Sequence, residues 1–445
     1  MALPTMNKPA TASAGTSGNK FLFPFILVTS LFFFWGFANN LDSVLIPHLR
    51  KACQLNNRMS MLVDTAVYLA YFLMPIPAGM ILKKYGYKVG IVTGLLLFAI
   101  GAFIFVPAAN TRLFAIFILG LFIIGLGLAM LETAANPYAT ILGPQETSTA
   151  RLNLAQSFNG LAAMAAPYIG SIFIFSGKDY TPAQLAAMTE ANRIAYLSSE
   201  AATVKAPYII LGIILLIVAI FFIKVKLPEI VEDDHESLSI GKFFGAFKHS
   251  NLKWGVIAQF FYVGAQVCIT SIFIRTAIKA GLDEKTAGKF YLGLGYGLAF
   301  MLGRFIGTAL MKKISPKTLL AVYAVINILL CGVAIFAAGM VVVYALIAIG
   351  FFMSIMFPTI FSLGIQGLGS DTKPGSSLLV MSIVGGAIIP PIMGFVIDWS
   401  GDNIGHGYIV PLLCFVMVLL FALRKQVLPV LQKDVVVAET ILPEH

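Results

Sequence analysis

Runs of roughly twenty apolar residues, the length an α-helix needs to cross a bilayer, alternate with short polar breaks along the whole chain. Twelve runs fall near 23–48, 61–82, 89–108, 113–142, 152–176, 206–224, 253–276, 288–311, 318–338, 341–366, 376–398 and 408–424. The division between the ninth and the tenth rests on little more than Gly339. Ahead of the first run, Ala2 to Lys20 is rich in Ala, Thr, Ser and Gly and reads as a disordered tail. It has neither the charged n-region nor the small-residue cleavage site of a signal peptide, so the first helix is expected to stay in the protein.

Composition agrees with the pattern. Of 445 residues, 59% are hydrophobic and 11% charged, with a mean hydropathy of +0.90. A soluble domain carries roughly 25% charged residues, so the length is read as a count of spans rather than as about three soluble domains. An all-α membrane protein with twelve transmembrane helices is expected. Placing both termini on the cytoplasmic side gives that side most of the basic residues, among them Lys83, Lys84, Lys88, Lys312, Lys313 and Lys317. Such loops explain much of the net charge of +10 without a nucleic-acid partner. Cys268, Cys331 and Cys414 lie inside predicted spans, where small apolar packing is the default, and Cys53 is alone outside them. The five histidines are scattered, with no metal-ligand spacing, so neither metal nor cofactor is expected.

The chain repeats itself. Gly79-Met-Ile-Leu-Lys-Lys-Tyr-Gly-Tyr-Lys88 follows the second run, and Gly307-Thr-Ala-Leu-Met-Lys-Lys-Ile-Ser-Pro-Lys317 follows the eighth. Between the halves, Leu227 to Ser250 holds an acidic patch and then Ile240-Gly-Lys-Phe-Phe-Gly-Ala-Phe-Lys248, an interfacial amphipathic pattern. The expected organisation is a tail (1–20), a six-helix bundle (21–226), a cytoplasmic linker (227–250), a second six-helix bundle (251–426) and a cytoplasmic C-terminal tail (427–445). Two parallel bundles of this kind place a substrate site near the midplane, between the halves.

Polar residues inside the runs mark the expected path. They are Asn39, Asn40 and Asp42 in the first, Asp64 in the second, and Glu132 and Asn136 in the fourth. Gln156 and Asn159 follow in the fifth, Gln259, Tyr262 and Gln266 in the seventh, and Arg304 lies within the eighth. Gln156 and Asn159 share a helix face, as do Gln259, Tyr262 and Gln266. Amides beside aromatic rings suit a neutral polyol, because each amide both donates to and accepts from hydroxyls. The plainer role for such residues is to hydrogen-bond neighbouring helices together. Glu132 needs a stronger reason: a carboxylate at the bilayer centre costs on the order of 3 kcal/mol. Leu113 to Leu131 could span about 28 Å alone and leave Glu132 at the interface, but ten uncharged residues follow it and Asn136-Pro137 can bend the helix inside the bundle.

Several of these stretches together resemble the L-fucose:proton symporter family of the major facilitator superfamily. They are Asn39-Asn-Leu, Pro75-Ile-Pro-Ala-Gly79, Leu131-Glu-Thr-Ala-Ala-Asn-Pro137, Arg151-Leu-Asn-Leu-Ala-Gln156, Tyr262-Val-Gly-Ala-Gln266, Gly303-Arg-Phe305, Phe357-Pro-Thr-Ile-Phe-Ser-Leu-Gly-Ile365 and Gly375-Ser-Ser377. The resemblance runs from about Phe21 to Arg424. It implies the major facilitator fold, with two six-helix bundles related by pseudo-two-fold symmetry, alternating access and a hexose carried with a proton. It also places the family's coupling glutamate on Glu132, and implies a monomer in a bacterial-type inner membrane surrounded by lipid.

One departure matters. The family's first helix reads Asn-Asn-Leu-Asn-Asp, its last acid linked to coupling, whereas this chain reads Asn39-Asn-Leu-Asp-Ser43. The acid has moved back one position, roughly 100° around a helix. Asp42 or Asp64 is left to take the missing role, and L-fucose specificity is weakened accordingly. Other readings stay open. A sodium-coupled or uncoupled glucose/galactose carrier would use Asp42, Asp64 and nearby amides as oxygen ligands, and a substrate-sensing receptor would look the same in sequence. An intramembrane hydrolase is not expected, since no histidine in the spans lies near a suitable nucleophile or acid, and no catalytic residue is assigned.

Overall fold

The protein's structure, a computed structural model, describes residues 17–54, 57–174, 180, 184–185, 187–228, 240–292 and 295–424. Every regular element among these is helical. Lipid offers the backbone no hydrogen-bond partners, and a helix satisfies its own. The first span is α1, Ser17–Ala52, which starts inside the stretch read as tail. The second is α2, Asn57–Leu73, continued after Met74 by the first turns of α3, Pro75–Thr111. Gly86, at φ 79° and ψ 174°, turns α3 between the second and third spans. A side chain there would be strained. The fourth and fifth spans are α4, Phe114–Ile141, and α5, Ser148–Ile174.

A short polar helix, α6 (Glu190–Ala202), precedes the sixth span, α7 (Lys205–Lys224). Thr189 caps α6 by accepting from the Asn192 amide, and hydropathy gives no hint of this helix. The acidic patch of the linker lies outside the described residues; the helical turn expected after it is α8, Ile240–Gly245.

In the second half the seventh span is α9, Ser250–Lys279. The eighth is broken into α10, Glu284–Leu292, and α11, Tyr296–Leu310. The ninth is α12, Pro316–Phe336, and Gly339 (φ 65°) separates it from the tenth, at the division expected from sequence. The tenth is two helices, α13 (Met340–Met353) and α14 (Met356–Ile365). The eleventh is α15, Thr372–Met381, and α16, Gly385–Trp399. After the single turn α17, Ile404–Gly407, the twelfth span is α18, Ile409–Leu423.

Small residues set the helix spacing. A Cβ on Gly127 of α4 would stand 2.6 Å from the Phe98 nitrogen of α3, and one on Gly94 would stand 3.1 Å from the Gly127 carbonyl oxygen. The two backbones therefore touch, as is common where lipid supplies no hydrophobic drive for association. The halves meet through α5 and α14. Thr149 and Ser362 share a hydrogen bond of 2.8 Å, and Asn153 Nδ2 donates to Thr359 Oγ1 at 3.2 Å. Nearby, Lys373 of α15 stands 5.5 Å from the Tyr87 ring of α3. These contacts lie at the end of the bundle that carries the basic loops.

Candidate functional site

Glu132 is buried, at 7% exposure, well inside α4. Its Oε1 accepts a hydrogen bond of 2.9 Å from the Tyr71 hydroxyl of α2, and its Oε2 has no partner among the described residues. Pro137, four residues after Thr133, has no N–H to give the Thr133 carbonyl, so the backbone beside Glu132 also carries an acceptor freed from the helix ladder. One turn on, Asn136 is fully buried and accepts from Gln156 Nε2 of α5 at 3.1 Å, while its own Nδ2 has no partner among the described residues.

Gln156 leads across to the second half. Its backbone carbonyl takes a short hydrogen bond from Arg304 Nη1 of α11, and its Oε1 a longer one of 3.4 Å from the same nitrogen. Arg304 is buried, lies 4.7 Å from the Phe300 ring centre, and donates through Nε to the Ser354 carbonyl at 3.0 Å. That carbonyl is available for a covalent reason. The residue four positions on is Pro358, which has no N–H, and the tenth span breaks between α13 and α14 at this point. The adjacent Met353 carbonyl accepts from the Tyr262 hydroxyl of α9 at 3.2 Å. A buried polar chain thus runs from Tyr71 and Glu132 through Asn136, Gln156 and Arg304 to the broken tenth helix and Tyr262. Arg304 also interacts electrostatically with Glu132. A buried guanidinium is expensive unless its donors are engaged, and the freed Ser354 carbonyl and Gln156 engage them.

The other expected residues are placed as follows. Gln259 is fully buried on α9, with neither amide atom paired among the described residues. Gln266 is half-buried, and its carbonyl accepts from Thr270. Asn159 packs so closely on α1 that a Cβ on Gly36 would lie 2.7 Å from its Nδ2. Asn40, one turn along α1, donates to the Gly36 carbonyl at 2.7 Å. The side chains of Asn39, Asp42 and Asp64 lie outside the described residues. Among the described residues, no group of three or more His, Cys, Asp or Glu could hold a metal ion.

Sequence reasoning assigned no role to Tyr71, Arg304, Asn153 or the Ser354 carbonyl. Arg304 was visible as a lone charge in an apolar run. Pro358 four residues after Ser354 announces the free carbonyl, but only the fold supplies the donor.

Twelve spans in two halves, with a buried polar chain passing from one to the other, define a multi-pass membrane transporter architecture. The Major Facilitator Superfamily model matches residues 26–375. The chain is 42% identical over 416 residues to the L-fucose-proton symporter of Escherichia coli strain K12, covering 92% of this chain and 94% of that protein. It is 39% identical over 424 residues to a glucose/galactose transporter of Brucella abortus, covering 95% and 98%. The crystal structure of the major facilitator superfamily transporter FucP in the outward conformation matches with a TM-score of 0.84 and 42% identity, covering 90% of this chain and 98% of that one. The chain belongs to the major facilitator superfamily, in the branch of L-fucose-proton symporters and glucose/galactose transporters.

Proposed function

We propose that this chain imports a monosaccharide, L-fucose or a closely related hexose, together with a proton, by alternating access. Glu132 carries the reading. It is a buried carboxyl with one oxygen bonded to Tyr71 and the other without a partner among the described residues, at one end of a polar chain that reaches both halves. A group so placed can take a proton from one side and release it to the other only if the surrounding contacts change, and helix rearrangement supplies that change. Gln156, Asn159, Asn136, Gln259, Tyr262 and Gln266, with Asn39 and Asn40 of the first helix, are the sugar-binding set. The amide atoms of Asn136 and Gln259 that have no partner among the described residues favour this role, since a sugar hydroxyl would complete them. Asp42 shares the coupling. The protein works as a monomer in a bacterial-type inner membrane, with both termini, the linker and the basic loops in the cytoplasm.

A second reading has its own support. Transporters of glucose and galactose match nearly the whole chain, and Ser43 stands where the L-fucose:proton pattern has its acid. That favours glucose or galactose as the sugar, with sodium coupling or none. Purified protein in proteoliposomes, given radiolabelled L-fucose, D-glucose or D-galactose under an imposed pH or sodium gradient, tests both. Accumulation of one hexose that follows the pH gradient and ignores sodium is expected. Accumulation that requires sodium supports the second reading, and binding without flux removes both in favour of a receptor.

A further inference from the structure

A cavity of about 230 Å³ lies between the halves, and no residue of the polar chain lines it. Phe72 of α2 forms the wall from the first half; Phe247, Val256 and Phe260 of the linker and α9, with Leu378 of α15 and the following Ser382, form the other. Phe72 is 43% exposed, so the cavity opens sideways at the bundle surface. Among the described residues of its lining the only side-chain oxygen belongs to Ser382, and that hydroxyl is spent on the Leu379 carbonyl at 2.6 Å. A sugar would find no free partner among these residues, and its hydroxyls would be buried unpaired. An apolar chain would fit at no such cost.

Depth and charge specify what kind of chain. Phe247 stands just before α9, at the end of the bundle with the basic loops, and Phe260 is about 15 Å further along the helix from Ser250. That is about half of a hydrocarbon core roughly 30 Å thick, the depth of one leaflet. Lys253 is exposed and one turn before Val256 and Ile257, on the helix face that lines the cavity. Asp371 takes up Lys248 and His249, whereas Lys253 forms no ion pair among the described residues. Arg424 donates to the Ser250 carbonyl and lies 5.2 Å from the Trp254 ring centre, adding a second cation at the same level. A lysine at this height reaches toward phosphate while its stem covers apolar surface.

We propose that this groove binds one acyl chain of an anionic phospholipid from the leaflet on the basic-loop side, with the lipid phosphate on Lys253. Because the chain lies between Phe72 of one half and α9 and α15 of the other, it fits only while the halves hold this arrangement. Its binding therefore favours the state closed on the basic-loop side.

Native mass spectrometry of the delipidated full-length protein, offered equimolar phosphatidylglycerol and phosphatidylcholine of identical chains, tests the proposal. One phosphatidylglycerol adduct should survive collisional activation in preference to phosphatidylcholine. Lys253→Gln should cut that preference by about fivefold, the factor one basic residue contributes at an anionic surface. Ser382→Phe, which fills the groove, should remove the surviving adduct of either lipid; if that variant fails to fold, Lys253→Gln decides alone. Equal retention of the two lipids, or a preference unchanged by Lys253→Gln, would overturn the proposal in favour of unselective annular lipid.

Discussion

Arg304 ties the two halves at a single guanidinium. Nε holds the Ser354 carbonyl, Nη1 holds Gln156, and the plane rests on Phe300. Lysine keeps the charge but loses the fork, so Arg304→Lys should fold and still bind sugar more weakly, by tenfold or more if one buried contact of about 1.5–3 kcal/mol is lost. Equilibrium binding to the purified variant measures this, and unchanged affinity would make the fork irrelevant to the site. Gln156→Ala leaves both Asn136 Oδ1 and part of Arg304 without partners, and should weaken binding by about 1–3 kcal/mol with little change in yield. Normal affinity in Gln156→Ala would take that amide out of the sugar path. Glu132, Asn136 and Gln156 were legible in the sequence because a polar group in an apolar run stands out against its neighbours. Tyr71 was not, since a tyrosine in a span has many roles and only the packing of α2 on α4 brings its hydroxyl to Glu132.

Broken helices shape the site as much as its side chains do. The tenth span parts between α13 and α14, and the carbonyls at the break serve Arg304 and Tyr262. Hydropathy averages over such breaks: the eighth and tenth runs read as single spans because apolar residues continue on both sides of each break. The breaks become legible only through the backbone, in Pro358 for the tenth and in the Gly295 turn (φ −104°, ψ −107°) for the eighth. Continuous elements are held by contacts of another kind. Gly127 of α4 lies against the α3 backbone, and the same helix carries Glu132 little more than a turn later. Gly127→Val must push α3 and α4 apart, at a cost of about 1–3 kcal/mol. A lower thermal midpoint in detergent, together with reduced uptake, is expected. An unshifted midpoint would mean that the helices separate freely there.

As a whole, the molecule is joined on the side of its basic loops. Thr149 to Ser362 and Asn153 to Thr359 fasten α5 to α14 there. Replacing Thr149 and Thr359 together by Val removes both fastenings while keeping the shape of the side chains. The variant should populate the oppositely opened state more, seen as greater reactivity of a cysteine introduced at the buried Ser376 of α15 toward a membrane-impermeant thiol reagent applied from the basic-loop side. Equal reactivity with and without the paired valines would show that apolar packing alone closes that side. The two-halves architecture was legible from twelve runs and a repeated basic loop, but which end is closed was not, because the same sequence must be able to close either end. The central claim is that Glu132 links proton to sugar, and one measurement reaches it directly: sugar uptake driven by a pH gradient, set beside sugar-for-sugar exchange, in proteoliposomes of the natural protein and of Glu132→Gln. Glutamine imitates the protonated acid and keeps its hydrogen-bonding shape. Glu132→Gln should therefore exchange labelled for unlabelled sugar at a rate near the natural protein's and fail to accumulate sugar against a gradient when the outside is acidic. Asp42→Asn, run alongside, should lose accumulation to a similar extent because it shares the coupling, and accumulation well above that of Glu132→Gln would leave Glu132 carrying the proton alone. Full accumulation by Glu132→Gln would contradict the account.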